Sequence, residues 1–340
     1  MSEVRVGIKS IGSYIPPQVH DSEWIAAASG IPADVIANKF GIQALHKAGP
    51  DDSVSVMGAK AARDCLGNFD PADLDMVVYC GSEFKDYYLF NCAAEIQRLL
   101  GAANAAVFEV HNLCSAGVWS LKVLKAMMIQ DPQLRHVLMV SSSRESDLID
   151  YQDMDSRFMF NFGDGAAAVL LERGLDQNVI CESAMIADGR FANNVSVPSV
   201  GCVGFAMGDA PVPIDRHLRV SDAQQMKQEL DPITFDNFVA VISRAAAKSG
   251  FESIDYLAPI FMKRSILVDL LDRFGLTESN TYLLEKYGHC QSADCFISLL
   301  RGADSGALKP GDRAVLVAAG TGYTWAATAV QWGPWADANK

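Results

Sequence analysis

The sequence predicts an α/β fold built from two copies of one structural unit. Short apolar, β-branched runs alternate with stretches of helical periodicity along all 340 residues. Several of these runs are continuously apolar, as in strands that are buried on both faces, and the order of elements repeats along the chain. With 50% hydrophobic and 20% charged residues, the chain can form a large core, which excludes a disordered protein or a coiled coil.

The individual elements follow from these patterns. Strands are predicted where short apolar runs occur, at residues 4–8, 76–80, 105–110, 137–140, 166–171, 179–185, 256–260, 281–284 and 314–317. Helices are predicted where apolar residues recur about every 3.6 positions, at residues 53–65, 93–100, 114–128 and 235–246. In the third helix, for example, Val118, Leu121 and Leu124 share one face.

The repeat has a nearly constant offset. Asp75 and Asp255, each just before a predicted strand, are 180 positions apart, and the strand at 137–140 recurs 177 positions later at 314–317. We therefore predict two halves, residues 1–175 with a nucleophilic cysteine and residues 176–340 with a catalytic histidine loop. The alternative is one large fold without duplication, because any α/β chain produces some echoes of this kind.

Composition excludes several classes of protein. The net charge is −13 and no Lys/Arg run occurs, which argues against a nucleic-acid-binding protein. No apolar stretch reaches 18 residues, so we expect no membrane span. The eight cysteines are irregularly spaced without a CxxC pair, and the first residues do not resemble a signal peptide. We therefore predict a cytoplasmic protein without disulfides or a metal site.

Cys114 and His289 are the candidate catalytic residues. Each follows a predicted strand and precedes a helical stretch, and they are 175 positions apart, which is the repeat offset. Equivalent loops of two related halves meet at the axis between them, so the two side chains should face each other. A helix N-terminus favours a thiolate, and a nearby imidazole can activate it for covalent acyl transfer.

Other interpretations of these residues stay open. Cys114 can be a small buried hydrophobic residue, and His289 can make a structural hydrogen bond. His111 lies three residues before Cys114 and is a rival base, although nothing in the second half repeats it. Asp294 can orient the imidazole of His289 or act as a helix cap.

Two glycine-rich turns complete the pattern. The turn at residues 162–165 is interpreted as a tight turn. The turn at residues 320–324 follows the strand at 314–317, where backbone N–H groups can bind an oxyanion.

At these residues the chain resembles the thiolase superfamily, and within it the β-ketoacyl-acyl-carrier-protein synthase III group. The resemblance covers nearly the whole length and rests on Cys114 and on the segments GSYIP (12–16), VSVMG (54–58), FGDGA (162–166), YGH (287–289) and GTGYTW (320–325). It implies a thiolase-like duplicated αβαβα five-layered fold, a homodimer and a role in fatty acid biosynthesis.

The resemblance also implies how the site works. Cys114 would accept an acyl group from acyl-CoA or acyl carrier protein, with the N–H groups of Cys114 and of Thr321 or Gly322 as the oxyanion hole. CoA or the phosphopantetheine of the carrier is then a substrate carrier, and no separate cofactor is expected. Leu89 and Phe90 would reach the acyl tunnel of the partner subunit.

Two positions depart from the family pattern. Ile260 stands where the family has the histidine of its P-H-Q-x-N segment, and His289 stands where the family has an asparagine. Because an isoleucine cannot donate a hydrogen bond to a thioester carbonyl, we expect acyl loading and transfer rather than efficient decarboxylative condensation.

Carrier binding should depend on local cations, because the chain and its carriers are all acidic. The family's tryptophan and arginine that hold the CoA adenine are absent, with Val35 and Gln43 in their places. Arg157 lies one position from another CoA-binding arginine of the family. Lys263 and Arg264 adjoin the Ile260 segment and are predicted to meet the carrier phosphates.

The predicted function is acyl transfer through an acyl-Cys114 intermediate, with a carbon, amine or alcohol acceptor. A non-catalytic subunit that pairs with an active homologue is one alternative, and a thioesterase is another.

Overall fold

The structure, a computed structural model, describes residues 4–202 and 214–335. Its strands are β1 (Val6–Tyr14), β2 (Gln18–Asp21), β3 (Ala44–Lys47), β4 (Met76–Gly81), β5 (Ala106–His111), β6 (His136–Ser143), β7 (Gly165–Arg173), β8 (Gln177–Ala187), β9 (Val195–Ser196), β10 (Arg219–Val220), β11 (Tyr256–Pro259), β12 (Arg313–Gly320) and β13 (Thr324–Pro334). Its longer helices are α1 (Ser22–Ser29), α2 (Val54–Leu66), α3 (Cys92–Leu100), α4 (Ala116–Gln130), α5 (Asp231–Lys248), α6 (Arg264–Arg273) and α7 (Asp294–Ser305).

Short helical turns connect these elements. They lie at Ala33–Val35, Ile36–Phe40, Pro71–Asp73, Leu113–Ser115, Glu145–Leu148, Met154–Met159, Gly189–Phe191, Ala223–Gln225, Met226–Leu230, Glu278–Asn280 and Gln291–Ala293.

Nine strands form one sheet in the order β11-β12-β13-β8-β1-β7-β6-β4-β5. Counted outward from the β1–β8 contact, one half runs β1-β7-β6-β4 and the other β8-β13-β12-β11. The directions also correspond, because β6 and β12 are each antiparallel to their inner neighbour and parallel to their outer one. The predicted internal repeat is therefore present in both strand order and strand direction.

The helices complete five layers. Helix α4 of the first half packs on β8 and β13 of the second half, and α7 of the second half packs on β1 and β7 of the first. These two helices therefore form the central layer. Helices α2 and α3 cover the outer face of the first half and α5 that of the second. The predicted duplicated αβαβα arrangement is confirmed.

One predicted strand is wrong. Residues 281–284 are extended but belong to no ladder. The carbonyl of Leu284 instead accepts hydrogen bonds from the N–H groups of Tyr287 (2.9 Å) and Gly288 (3.0 Å), which turns the chain toward His289. The side-chain amide of Asn280 donates to the carbonyl of Asp255 (3.0 Å), just before β11. Local apolar composition could not show that these backbone groups bond elsewhere.

Two further features bear on the surface of the protein. Strand β5 lies at one end of the sheet, with β4 as its neighbour, so one side of it is an exposed edge. Across the described ranges, every helix is too short or too polar to traverse a lipid bilayer.

Candidate active site

Cys114 lies in the turn Leu113–Ser115, between the end of β5 and the start of α4. The first turn of α4 approaches the segment that starts α7 very closely. A Cβ atom on Gly117 would lie 2.6 Å from the carbonyl oxygen of Ser292 and 2.7 Å from the ring of Phe296. Only glycine permits this approach, which brings Cys114 to the histidine loop of the second half.

His289 is held by the glycine-rich turn at residues 162–165. The N–H of His289 donates to the carbonyl of Asn161 (2.6 Å), and the N–H of Gly163 donates to the carbonyl of His289 (3.1 Å). The ring of Phe162 meets the imidazole edge to face, with centroids 4.7 Å apart. The sequence interpretation of a tight turn alone was incomplete, because this turn is hydrogen-bonded to the loop that carries His289.

In the structure, His289 contacts both Cys114 and Asp294, one through each ring nitrogen. The Nε2 atom of His289 is 3.3 Å from the Sγ atom of Cys114, as the repeat offset predicts. Its Nδ1–H donates to Oδ2 of Asp294 at 2.6 Å. The three residues are 9%, 5% and 0% exposed. This arrangement has the geometry of a nucleophile, a base and a group that orients the base.

Asp294 takes one of the two roles that the sequence left open: it orients the imidazole of His289 and makes no capping hydrogen bond to its own helix. It is the first residue of α7, and its Oδ1 accepts the N–H of Cys290 (2.7 Å). Its Oδ2 accepts the N–H of Phe261 (2.8 Å) in addition to the imidazole. Asp294 therefore ties His289 to the segment that carries Ile260.

The electrostatics of the site favour a charged imidazole. Burial lowers the pKa of His289, but the negative charges of Asp294 and Cys114 outweigh burial and raise it to about 10. Near neutral pH the imidazolium of His289 therefore faces the sulfur of Cys114.

We predict that Asp294→Asn moves the alkylation of Cys114 to higher pH. Without the carboxylate, burial dominates and the pKa of His289 falls, so the imidazolium is lost at lower pH and stabilises the thiolate less. Rates with iodoacetamide, followed from pH 5 to pH 10, should shift upward by about one pH unit or more. Asp304→Asn, an exposed change on the same helix, is the control, and equal profiles for both variants would contradict the role of Asp294.

His111 is not the base of this site. Its Nδ1 lies 2.8 Å from a carboxylate oxygen of Glu83, and its Nε2 lies 3.2 Å from one of Glu109. Both ring nitrogens are thus occupied at the exposed end of β5, and the rival assignment is wrong.

The loop at residues 320–324 lies against the backbone of Cys114. A Cβ on Gly320 would lie 3.3 Å from the backbone nitrogen of Cys114, so the two backbones are adjacent. At the other end, the hydroxyl of Thr324 is 2.8 Å from that of Ser115. Thr321 and Gly322 lie between these contacts, and their role in an oxyanion hole stays a prediction.

Ile260 directly follows β11 and is 5% exposed. Its N–H donates to the carbonyl of Val317 (2.8 Å), and its side chain carries no polar atom. Within the described part of the chain, His289 is thus the imidazole found at the Cys114 thiol.

The three predicted carrier-binding residues differ in their surroundings. Arg264 forms ion pairs with Glu278 (2.6 Å) and with Glu285, so its charge is already compensated. Lys263 and Arg157 are exposed. Their segments are joined by a hydrogen bond from Asn161 to the carbonyl of Phe261 (3.0 Å).

The predicted tunnel loop projects from the sheet edge. Leu89 is 94% exposed. The loop is fixed to β5 by Lys85, whose Nζ donates to the carbonyl of Phe90 (2.7 Å) and to Glu109 (2.8 Å). A side chain so exposed beside an open sheet edge is suited to contact a second protein surface.

Sequence reasoning missed Glu145. Its carboxyl is buried and accepts hydrogen bonds from Ser82 (2.5 Å), Ser143 and the side-chain amide of Gln291 (2.6 Å). Burial raises the pKa of Glu145. Gln291 lies two residues after His289, so Glu145 anchors the loop that carries His289. A lone Glu after a serine run gives no sequence signal for this role.

Comparison with known proteins gives two family matches. The family described as 3-oxoacyl-[acyl-carrier-protein (ACP)] synthase III matches residues 108–189, and its C-terminal family matches residues 245–332. A β-ketoacyl-[acyl-carrier-protein] synthase III of Deinococcus deserti is 28% identical over 344 residues, which cover 97% of this chain and 92% of the relative. The corresponding protein of Caldanaerobacter subterraneus is 26% identical over 333 residues, covering 97% and 98%.

Solved structures show the same fold. The priming β-ketosynthase of the R1128 polyketide biosynthetic pathway superposes with a TM-score of 0.85 at 24% identity, covering 98% of each chain. The two family matches include Cys114 and His289, respectively. The chain therefore belongs to the 3-oxoacyl-acyl-carrier-protein synthase III family of the thiolase superfamily and is an acyl-transferring enzyme.

Proposed function

We propose that this enzyme carries acyl groups on Cys114 and passes them to an alcohol or amine acceptor. The observation that carries the proposal is the position of His289, which lies 3.3 Å from the Cys114 sulfur and 2.6 Å from Asp294. Such an arrangement supplies a general base for a heteroatom nucleophile. Decarboxylative carbon–carbon bond formation needs a further hydrogen-bond donor on the malonyl thioester, and Ile260 does not supply it.

The loading step begins with the thiolate of Cys114. It attacks the thioester carbonyl of acyl-CoA or acyl carrier protein, and a new C–S bond forms as the carrier thiolate leaves. The imidazolium of His289 gives its proton to the departing sulfur. Because the acylated cysteine carries no negative charge, one of the two charges that raise the pKa of His289 has then disappeared.

The transfer step uses the neutral His289 that loading leaves behind. The acceptor heteroatom attacks the acyl carbon while His289 takes its proton, and the bond from carbon to the Cys114 sulfur breaks. The products are an ester or amide and the original thiolate–imidazolium pair. Asp294 stabilises the charged imidazole at the beginning and at the end of the cycle.

Ile260 is the reason to expect transfer over condensation. Decarboxylation of a malonyl group builds negative charge on its thioester carbonyl, which hydrogen-bond donors must stabilise. The side chain of Ile260 offers none, and His289 is already committed to Cys114 and Asp294.

The two alternatives are less well supported. A non-catalytic subunit would not need a buried nucleophile with an oriented base. A thioesterase would pass the acyl group to water, and release of a free carboxylic acid in place of an ester or amide would identify it.

The carriers proposed for the acyl group are CoA and acyl carrier protein, in the setting of fatty acid biosynthesis. Lys263 and Arg157 are the exposed cations that support binding of the carrier phosphates. The role of Arg264 in carrier binding is less well supported, because it is paired with Glu278 and Glu285. A cytoplasmic location is proposed from the eight free thiols.

We predict that Lys263→Glu weakens carrier binding. The reversed charge repels phosphate, so the apparent KM for an acyl carrier protein substrate should rise about tenfold at low salt. The KM for a short thioester of N-acetylcysteamine, which has no phosphate, should change little. Lys309→Glu is the matched control. Lys309 is also exposed, but it lies before the N-terminal end of β12, whereas Lys263 lies after the C-terminal end of the parallel strand β11. Equal losses with both substrates would indicate a structural role for Lys263.

The assembly proposed for this enzyme is a homodimer formed along β5. The strand is an exposed sheet edge, and such an edge is prone to pair with another chain. The loop that carries Leu89 and Phe90 stands beside it and would enter the acyl tunnel of the second subunit.

We predict a particle of twice the chain mass of 36.7 kDa in light scattering. Leu89→Asp should reduce loading of long acyl chains more than loading of acetyl groups, because only long chains reach the partner's loop. A monodisperse species at the chain mass would contradict the dimer and the shared tunnel together.

The proposed function is tested by intact-protein mass spectrometry. The enzyme is incubated with acyl-CoAs from acetyl to dodecanoyl, and the acylated species is then mixed with amines and alcohols. Loss of the acyl mass with formation of amide or ester supports the proposal. A stable acyl-enzyme that is discharged by a malonyl carrier alone would refute it.

A further inference from the structure

Tyr323 belongs to the loop that lies against the backbone of Cys114. Residues 321–323 span the distance between two fixed contacts, Gly320 against the backbone of Cys114 and Thr324 against the hydroxyl of Ser115. The loop therefore has little freedom to move Tyr323 away from the nucleophile.

The backbone and ring of Tyr323 are also held in place. Its backbone exchanges two hydrogen bonds with Asp188, at 2.8 and 3.0 Å. Its ring packs edge to face on the buried Phe191, with centroids 6.4 Å apart, and lies 6.0 Å from the ring of Trp325. The side chain is partly exposed. Among the described residues, none forms a hydrogen bond with its hydroxyl.

The hydroxyl of Tyr323 stays protonated. Burial and the negative charges of Cys114 and Asp231 raise the pKa of Tyr323 well above its usual range. The phenol therefore keeps its proton at any working pH. A neutral phenol is both a hydrogen-bond donor and an acceptor.

Asp188, the backbone partner of Tyr323, is itself held by an ion pair. Arg190 pairs with Asp188 (2.6 Å) and with Glu229 (3.6 Å). These contacts add to the backbone hydrogen bonds that hold the loop of Tyr323.

We propose that the Tyr323 hydroxyl binds the nucleophilic group of the acceptor, a hydroxyl or a primary amine, and aims it at the acyl carbon on Cys114. This inference rests on the proposed function and adds an acceptor site to it. An alcohol uses one lone pair for attack and gives its proton to His289, so its second lone pair accepts from Tyr323. A primary amine gives one N–H to His289 and donates the other to the oxygen of Tyr323.

A secondary amine distinguishes a hydrogen bond between Tyr323 and the acceptor from a general effect of Tyr323 on the active site. It has a single N–H, which His289 must take, so it has no hydrogen left for Tyr323. The hydroxyl should therefore accelerate transfer to benzylamine and benzyl alcohol but not to N-methylbenzylamine.

The test compares single-turnover discharge of the acyl-enzyme in the wild type, Tyr323→Phe and Tyr282→Phe. Tyr282 is the control because its hydroxyl faces that of Tyr287, at 3.5 Å. In Tyr323→Phe, loading from acyl-CoA should stay within about twofold of the wild type, while discharge by benzylamine and benzyl alcohol falls about tenfold. Discharge by N-methylbenzylamine should be equal in all three proteins.

The experiment distinguishes failure of the acceptor site at Tyr323 from failure of the proposed acyl transfer. Tyr323→Phe that loads normally and is discharged by benzylamine at the wild-type rate would overturn the acceptor site and leave the acyl transfer intact. Equal losses for all three acceptors, or for loading itself, would also overturn it by indicating a structural role. Absence of loading in the wild type would instead refute the proposed function.

Discussion

Cys114→Ala is expected to abolish formation of the acyl-enzyme. Covalent loading requires a nucleophile beside the imidazole of His289, and Cys114 is the thiol found there, at 3.3 Å. Cys114→Ser keeps the shape of the site but substitutes a much weaker nucleophile, so loading should fall by about 10³-fold or more. Both variants should remain folded, because the change removes or replaces a single side-chain atom. The measurement is the intact mass after incubation with acyl-CoA, with peptide mapping of any adduct.

Two other cysteines serve as controls for this prediction. Cys202 is exposed and can react without catalysis, so Cys202→Ser should leave loading unchanged. Cys290 adjoins His289, but burial, with the charges of nearby carboxylates, raises the pKa of its thiol well above the ordinary value. An adduct mapped to Cys290, or full loading of Cys114→Ser, would overturn the assignment of the nucleophile.

Malonyl decarboxylation is expected to be slower than in a working condensing enzyme by about 10²–10³-fold, the usual cost of one missing oxyanion donor. The missing donor is the side chain at position 260. Release of labelled carbon dioxide from malonyl-CoA and from a malonyl carrier protein measures the rate.

Variants at position 260 isolate the cause. Ile260→His restores a donor and should increase carbon dioxide release, whereas Ile260→Leu, without a donor, should not. Carbon dioxide release by the wild type at the rate of a working synthase, abolished by His289→Ala, would show that His289 alone suffices and would contradict this explanation.

The sequence predicted the pair at the centre of the site because the repeat has a measurable offset. Cys114 and His289 share that offset, and the matching strand orders of the two halves convert it into proximity. The glycine-rich turns were also found, since glycine marks close approaches. The partner of a turn, however, is a tertiary contact, so the bonds from residues 161–163 to His289 could not be foreseen.

The sequence could not decide questions of side-chain pairing. Asp294 at the start of a helix fits a cap, and only the structure shows that its two oxygens instead bond the N–H of Cys290 and the imidazole of His289. Arg264 resembles a free cation beside Lys263, but Glu278 and Glu285 fold back to pair with it. The strand predicted at residues 281–284 failed for the same reason, because its backbone groups bond outside any sheet.

The most direct test of acyl transfer to an alcohol or amine is a single-turnover discharge of acyl-Cys114 with competing acceptors. The loaded enzyme is mixed in parallel with an alcohol, a primary amine and a malonyl carrier protein carrying a labelled carboxyl group. Intact mass and labelled carbon dioxide are followed together. The alcohol or amine is expected to remove the acyl group as an ester or amide, with His289→Ala inactive, while the malonyl carrier removes little and releases little carbon dioxide. Rapid discharge by the malonyl carrier with one carbon dioxide per acyl group, and none by the alcohol or amine, would contradict the proposed acyl transfer.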